Sequence, residues 1–110
     1  MASPREERLA RNEALFREAN ERMASWEELH ANEAVEPYFC ECADPACGEK
    51  VGLRKADYER VRSNPRWFAV KPGHEVLDVE TVVERNEGWL VIEKDPSVTG
   101  LVESLDPRGP

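Results

Sequence analysis

Apolar residues are sparse and regularly spaced at the start of the chain. Leu9, Phe16 and Met23 recur every seven residues, with Ala19 and Trp26 on an adjoining part of the same face. This spacing predicts one long helix over 3–30 with a narrow apolar stripe. Ser3-Pro4-Arg5-Glu6 supplies its start. The serine oxygen can accept an orphan backbone N–H, the glutamate can reach back to the cap, and proline suits the first helical position. Glu7/Arg11, Glu13/Arg17 and Glu18/Arg22 are i,i+4 pairs in the favourable order. The stripe must pack on something: the rest of the core, a second copy, or another protein. Asn12 interrupts the heptad and three repeats are too few for a long coiled coil.

The pattern changes at Pro37, after a connector. Pro37-Tyr38-Phe39-Cys40 reads as extended, Asp44-Pro45 as a turn, and Lys50–Arg54 as a second short strand, giving a hairpin with cysteines at its tip. Residues 55–63 read as a helix with Tyr58 and Val61 inward, ended by Asn64-Pro65. Arg66–Val70 alternates two faces, Trp67/Ala69 and Phe68/Val70, before the turn Lys71-Pro72-Gly73-His74. Val79–Glu84 fits either a strand or a short helix, because its valines favour strand while their spacing suits a helix. Trp89–Glu93 is the strongest strand in the chain, with Asn86-Glu87-Gly88 as the turn before it.

The order of elements predicts an α+β fold: a long N-terminal helix, then a small antiparallel sheet with a zinc-stapled hairpin and one short helix. The expected divisions are a helix over 1–32, a metal-binding α+β domain over 37–94, and a disordered acidic tail over 95–110, where three prolines accompany little apolar content.

Composition narrows the class. In 110 residues, 40% are apolar and 35% charged, so the core is small and a staple such as a metal is expected. Met1 leads into a charged helix without the apolar stretch of a signal peptide, and no apolar run approaches the length of a membrane span. The expected location is therefore cytoplasmic, with reduced thiols and no membrane contact. The net charge of −8 is uneven: residues 1–36 hold five basic and nine acidic side chains, 37–74 seven and five, 75–110 three and nine. Acidic ends disfavour nonspecific nucleic-acid binding. The mildly basic middle holds one cluster of interest, Arg60, Arg62, Arg66 and Lys71 with Trp67 and Phe68. Its alternatives are a stacking surface for single strands or strand core with solvated cations.

The chain's three cysteines lie within eight residues, Cys40-Glu41-Cys42-Ala43-Asp44-Pro45-Ala46-Cys47. Cys40 and Cys42, two apart on an extended segment, point to one face, and the x4 spacing lets Cys47 curl back. His74 in its turn completes a tetrahedral Cys3His set for structural zinc. His30, a water or a carboxylate are the competing fourth ligands, and iron is a competing metal. Three buried free thiols, a redox pair, or an open hydrolytic zinc with Glu41 or Asp44 as base are the alternative readings. No catalytic or cofactor-binding constellation stands out. The reading that follows is a small zinc-binding regulatory or adaptor protein, with a partner protein or a second copy on the N-terminal helix. A nucleic-acid-associated zinc module and a thiol redox sensor are its alternatives.

From Cys40 to His74 the chain resembles a group of small uncharacterised bacterial proteins, chiefly actinobacterial. They share a C-E-C-x4-C cluster, an E/D-Y-E-x-V-R helix and a P-x-x-F-x-V-x-P-G-H segment. Here these are Cys40-Glu41-Cys42 with Cys47, Asp57–Arg62, Pro65 with Phe68 and Val70, and Pro72-Gly73-His74. Arg11–Glu18 and Asp106–Arg108 are similar too. The resemblance carries no function, but it implies that the cysteines and His74 belong to one recurring pattern.

Overall fold

The computed structural model describes residues 3–27 and 35–108, without the side chains of 23–27 and Thr99. Helix α1 spans Pro4–Glu27. The capping box forms: Glu6 N–H donates to Ser3 Oγ at 3.1 Å, and Ser3 N–H to the Glu6 carboxylate at 3.4 Å. The buried face of α1 is not the predicted stripe. It is Ala10, Glu13, Ala14, Arg17 and Asn20, at helical spacing, while Leu9 and Phe16 are half-buried at its margin. The Met23 and Trp26 side chains, and the predicted last turn from residue 28, lie outside the described residues. Glu18 and Arg22 pair as expected at 3.0 Å. Glu13 and Arg17 take other partners. Lys94 Nζ comes within 2.8 Å of Glu13, and Arg17 donates to the carbonyls of Pro65 and Val102 while lying 4.5 Å over the Phe68 ring.

Strands β1 (Val35–Phe39) and β2 (Lys50–Arg54) form the expected antiparallel hairpin, with Tyr38 opposite Val51. Helix α2 (Lys55–Arg62) follows directly, and Tyr58 stacks on Tyr38 with ring centres 4.6 Å apart. Strands β3 (Trp67–Val70), β4 (Glu80–Asn86) and β5 (Trp89–Lys94) make a second antiparallel sheet in the order β3-β5-β4. The ambiguous valine segment is thus a strand. A register shift between Val82 and Glu84 reconciles its uneven spacing with pairing to β5. Gly88, at φ 83°, supplies the left-handed residue of the β4–β5 turn.

Because β5 is central, Trp89 through Ile92 are all buried. The sheet separates two cores. On one side Phe68, Val70, Leu90 and Ile92 meet Ala10, Cys40, Cys42, Val98 and Val102. On the other Ala69 and Val91 meet Tyr38, Val51, Leu53, Tyr58 and Val61. The expectation of a disordered tail from residue 95 is corrected. Pro96–Val98 forms a 3-10 turn and Thr99–Ser104 a short helix, α3. Asp95 starts the segment by accepting from Ser97 N–H at 2.9 Å. Val98 and Val102, four apart, then bury against α1 and the sheet. The segment contains enough apolar spacing for one helical turn when α1 supplies the opposing wall.

Candidate metal centre

Cys40 leaves β1 with its N–H donating to the Glu49 carbonyl at 3.0 Å, which closes the hairpin mouth. The next residue lies along the open edge of β3: Glu41 N–H donates to the Ala69 carbonyl at 2.8 Å. Alternation then divides the segment. Cys40 and Cys42 face one core, and Glu41 turns the other way. The chain returns through a turn in which Ala46 N–H donates to the Asp44 carboxylate at 2.9 Å and Cys47 N–H to the Asp44 carbonyl at 3.0 Å. His74 is aimed by its own turn, with its N–H donating to the Lys71 carbonyl at 3.0 Å and Gly73 at φ 93°.

These turns bring Cys40, Cys42, Cys47 and His74 together, with all candidate ligand atoms within 4.8 Å of one another. His74 Nδ1 is 3.6 Å from both Cys40 Sγ and Cys47 Sγ. A tetrahedral ion with bonds of about 2.3 Å to sulfur and about 2.05 Å to nitrogen separates those atoms by roughly 3.6 Å. The residues therefore fit a single metal ion without rearrangement of that edge. Cys40 and Cys42 are buried; Cys47 and His74 are half-buried. His30, the competing ligand, lies outside the described residues.

The surrounding groups favour bound metal. Lys71 N–H donates to Cys40 Sγ at 3.1 Å. The far ring nitrogen of His74, Nε2, lies 3.0 Å from the Glu49 carboxylate, which Lys71 Nζ holds at 2.7 Å. A proton on Nε2 leaves the Nδ1 lone pair facing the thiols. The hydrogen bond from Cys40 pulls the Cys42 thiol down to about 5, while the same bond, together with burial, pushes Cys40 up. Cys47 is raised chiefly by burial.

Of the two candidate bases, Glu41 turns away from the cluster, and Asp44 is exposed beside Cys42 and His74. Glu41 accepts from Ala69 N–H at 3.0 Å and Asn20 Nδ2 at 2.8 Å, and burial raises its carboxyl. Asp44 uses one carboxylate oxygen to accept from Ala46 N–H in its own turn. The basic and aromatic residues of the middle segment do not make a common surface. Phe68 is buried, Arg62 is buried in ion pairs with Glu21 and Asp106, Arg60 pairs with Glu84, and Trp67 donates to Glu93 at 2.8 Å. Sequence reasoning missed Glu49 and the Lys71 N–H; nothing in their spacing distinguishes them from ordinary loop residues.

No protein-family model, curated protein or solved structure matches the chain. Among the described residues, no helix is long and apolar enough to cross a membrane.

Proposed function

We propose that Cys40, Cys42, Cys47 and His74 hold one structural zinc ion, and that the protein works in the cytoplasm as a regulatory or adaptor module through contacts with other proteins. The supporting observation is the position of His74 Nδ1, 3.6 Å from two of the thiols. Four protein ligands leave no open position for a water, which is the mark of a structural rather than catalytic site. A mixed sulfur and nitrogen set favours zinc over an iron–sulfur cluster, which is held by four thiolates in its common forms. Reduced thiolates suit the cytoplasm.

The test is the metal content of protein purified without chelator, alongside His74→Ala and Cys47→Ser. Zinc at about one ion per chain, weakened or lost in both variants, supports the site. Metal-free wild-type protein overturns it. Rapid oxidation of the thiols in such a protein would move the function to redox sensing.

A further inference from the structure

The outer face of α1 carries a charge pattern that is its own complement. Glu7, Arg11, Leu15, Glu18 and Arg22 follow one another at spacings of four, four, three and four, so they form one stripe along the helix. All five are exposed, Leu15 at 60%. Read backwards, the stripe is Arg-Glu-Leu-Arg-Glu. An antiparallel copy therefore sets Glu7 against Arg22, Arg11 against Glu18 and Leu15 against Leu15, and the two-fold axis repeats each ion pair. Shallow grooves flank Leu15, one walled by Ala14 and Leu105, the other by Ala19. Each can take the partner's leucine.

We propose that this face of α1 is a self-association surface whose occupant is the same face of a second copy, packed antiparallel. A lone exposed leucine is ordinary on a protein surface; the charge order around it is what selects a second copy. In the single chain Glu18 is satisfied by Arg22 within its own helix. An exposed i,i+4 pair contributes little, so exchanging it for a pair across the axis costs little. The surface lies on α1 and contains none of the metal ligands, so the proposal refines the protein-contact part of the function without depending on zinc.

Sedimentation of the full metal-loaded chain over a range of concentrations and salt tests it. Wild type is expected to form a dimer that weakens with salt. Leu15→Glu, Arg11→Glu and Glu18→Arg should each weaken it by on the order of tenfold or more. The double variant Arg11→Glu/Glu18→Arg should restore it, because the swapped charges again face opposites. Circular dichroism checks that all variants stay folded. A wild type that remains monomeric overturns the proposal, including the case where this face serves an unrelated partner. So does a dimer that the single changes leave intact, or one that the double swap fails to restore. Zinc content measured on the same samples reports separately on the metal site.

Discussion

Glu49 shows how a residue with no sequence signature acquires a role from its surroundings. It is exposed, and its carboxylate bridges Lys71 Nζ and His74 Nε2. Holding a proton on Nε2 fixes the histidine tautomer and ring angle that present Nδ1 to the thiols. Glu49→Gln should weaken zinc affinity about tenfold, read by competition with a chromophoric chelator. The stability of the metal-free protein should stay within about 0.5 kcal/mol of wild type, since the side chain fills no core position. An unchanged affinity would leave Glu49 as a surface ion pair only. The cysteines and His74 were legible because few residue types make soft metal ligands and their spacing was short. Glu13, Arg17, Asn20 and Lys94 were not. A charged or amide side chain on a helix or at a strand end reads as solvent-facing, because Lys, Glu and Arg are seldom buried unless paired. Their partners come from distant segments: Lys94 for Glu13, and the carbonyls of Pro65 and Val102 for Arg17. Burial and the neighbouring Glu80 raise the Glu13 carboxyl well above the ordinary value. Lys94 Nζ lies between the two carboxylates, 2.8 Å from Glu13 and 3.2 Å from Glu80.

At the scale of elements, strands with clear alternation or strong apolar content were read closely. Lys50–Arg54 and Trp89–Glu93 fall on β2 and β5 to within a residue. The misread elements have their burial decided by a neighbour. α1 buries alanines and polar groups because the layer beneath it contains Lys94 and open backbone carbonyls. The C-terminal segment folds because α1 and α2 offer it partners. Its anchor is Asp106, which pairs with Arg62, a side chain with no exposed surface that Glu21 also contacts. Among the described residues, Arg62 Nη1 has no hydrogen-bond partner. Asp106→Ala should therefore cost about 3 kcal/mol, as a lower urea midpoint, because the guanidinium stays buried with one carboxylate. Zinc content should not change, since Asp106 is not among the residues of the metal cluster. A loss below about 0.5 kcal/mol would show that the C-terminal segment detaches at little cost.

For the whole molecule the question is how much of the fold the proposed metal would hold. An ion held by Cys40, Cys42, Cys47 and His74 would tie the 40–47 loop to the 71–74 turn, and so join the mouth of the hairpin to the end of β3. Cys40 and Cys42 also belong to the core beneath α1. The second core, from Tyr38 to Val91, contains no ligand. The ladder of β3, β5 and β4 closes without the loop. Chelation should therefore loosen the molecule locally and leave its sheet intact. Free metal at a thousandfold over Kd contributes about 4 kcal/mol, so its removal should lower Tm by roughly 15 °C for a chain of this size. Hydrogen exchange in the chelated protein should lose protection at 40–49 and 71–76 while the β5 amides keep theirs. Loss of protection throughout would mean that the two cores cannot stand without the ion. An unchanged Tm would mean that the folded protein holds no metal. The predicted pattern requires both cores to be sufficient and the ion to act at one end of the sheet, as the separation of the two clusters implies.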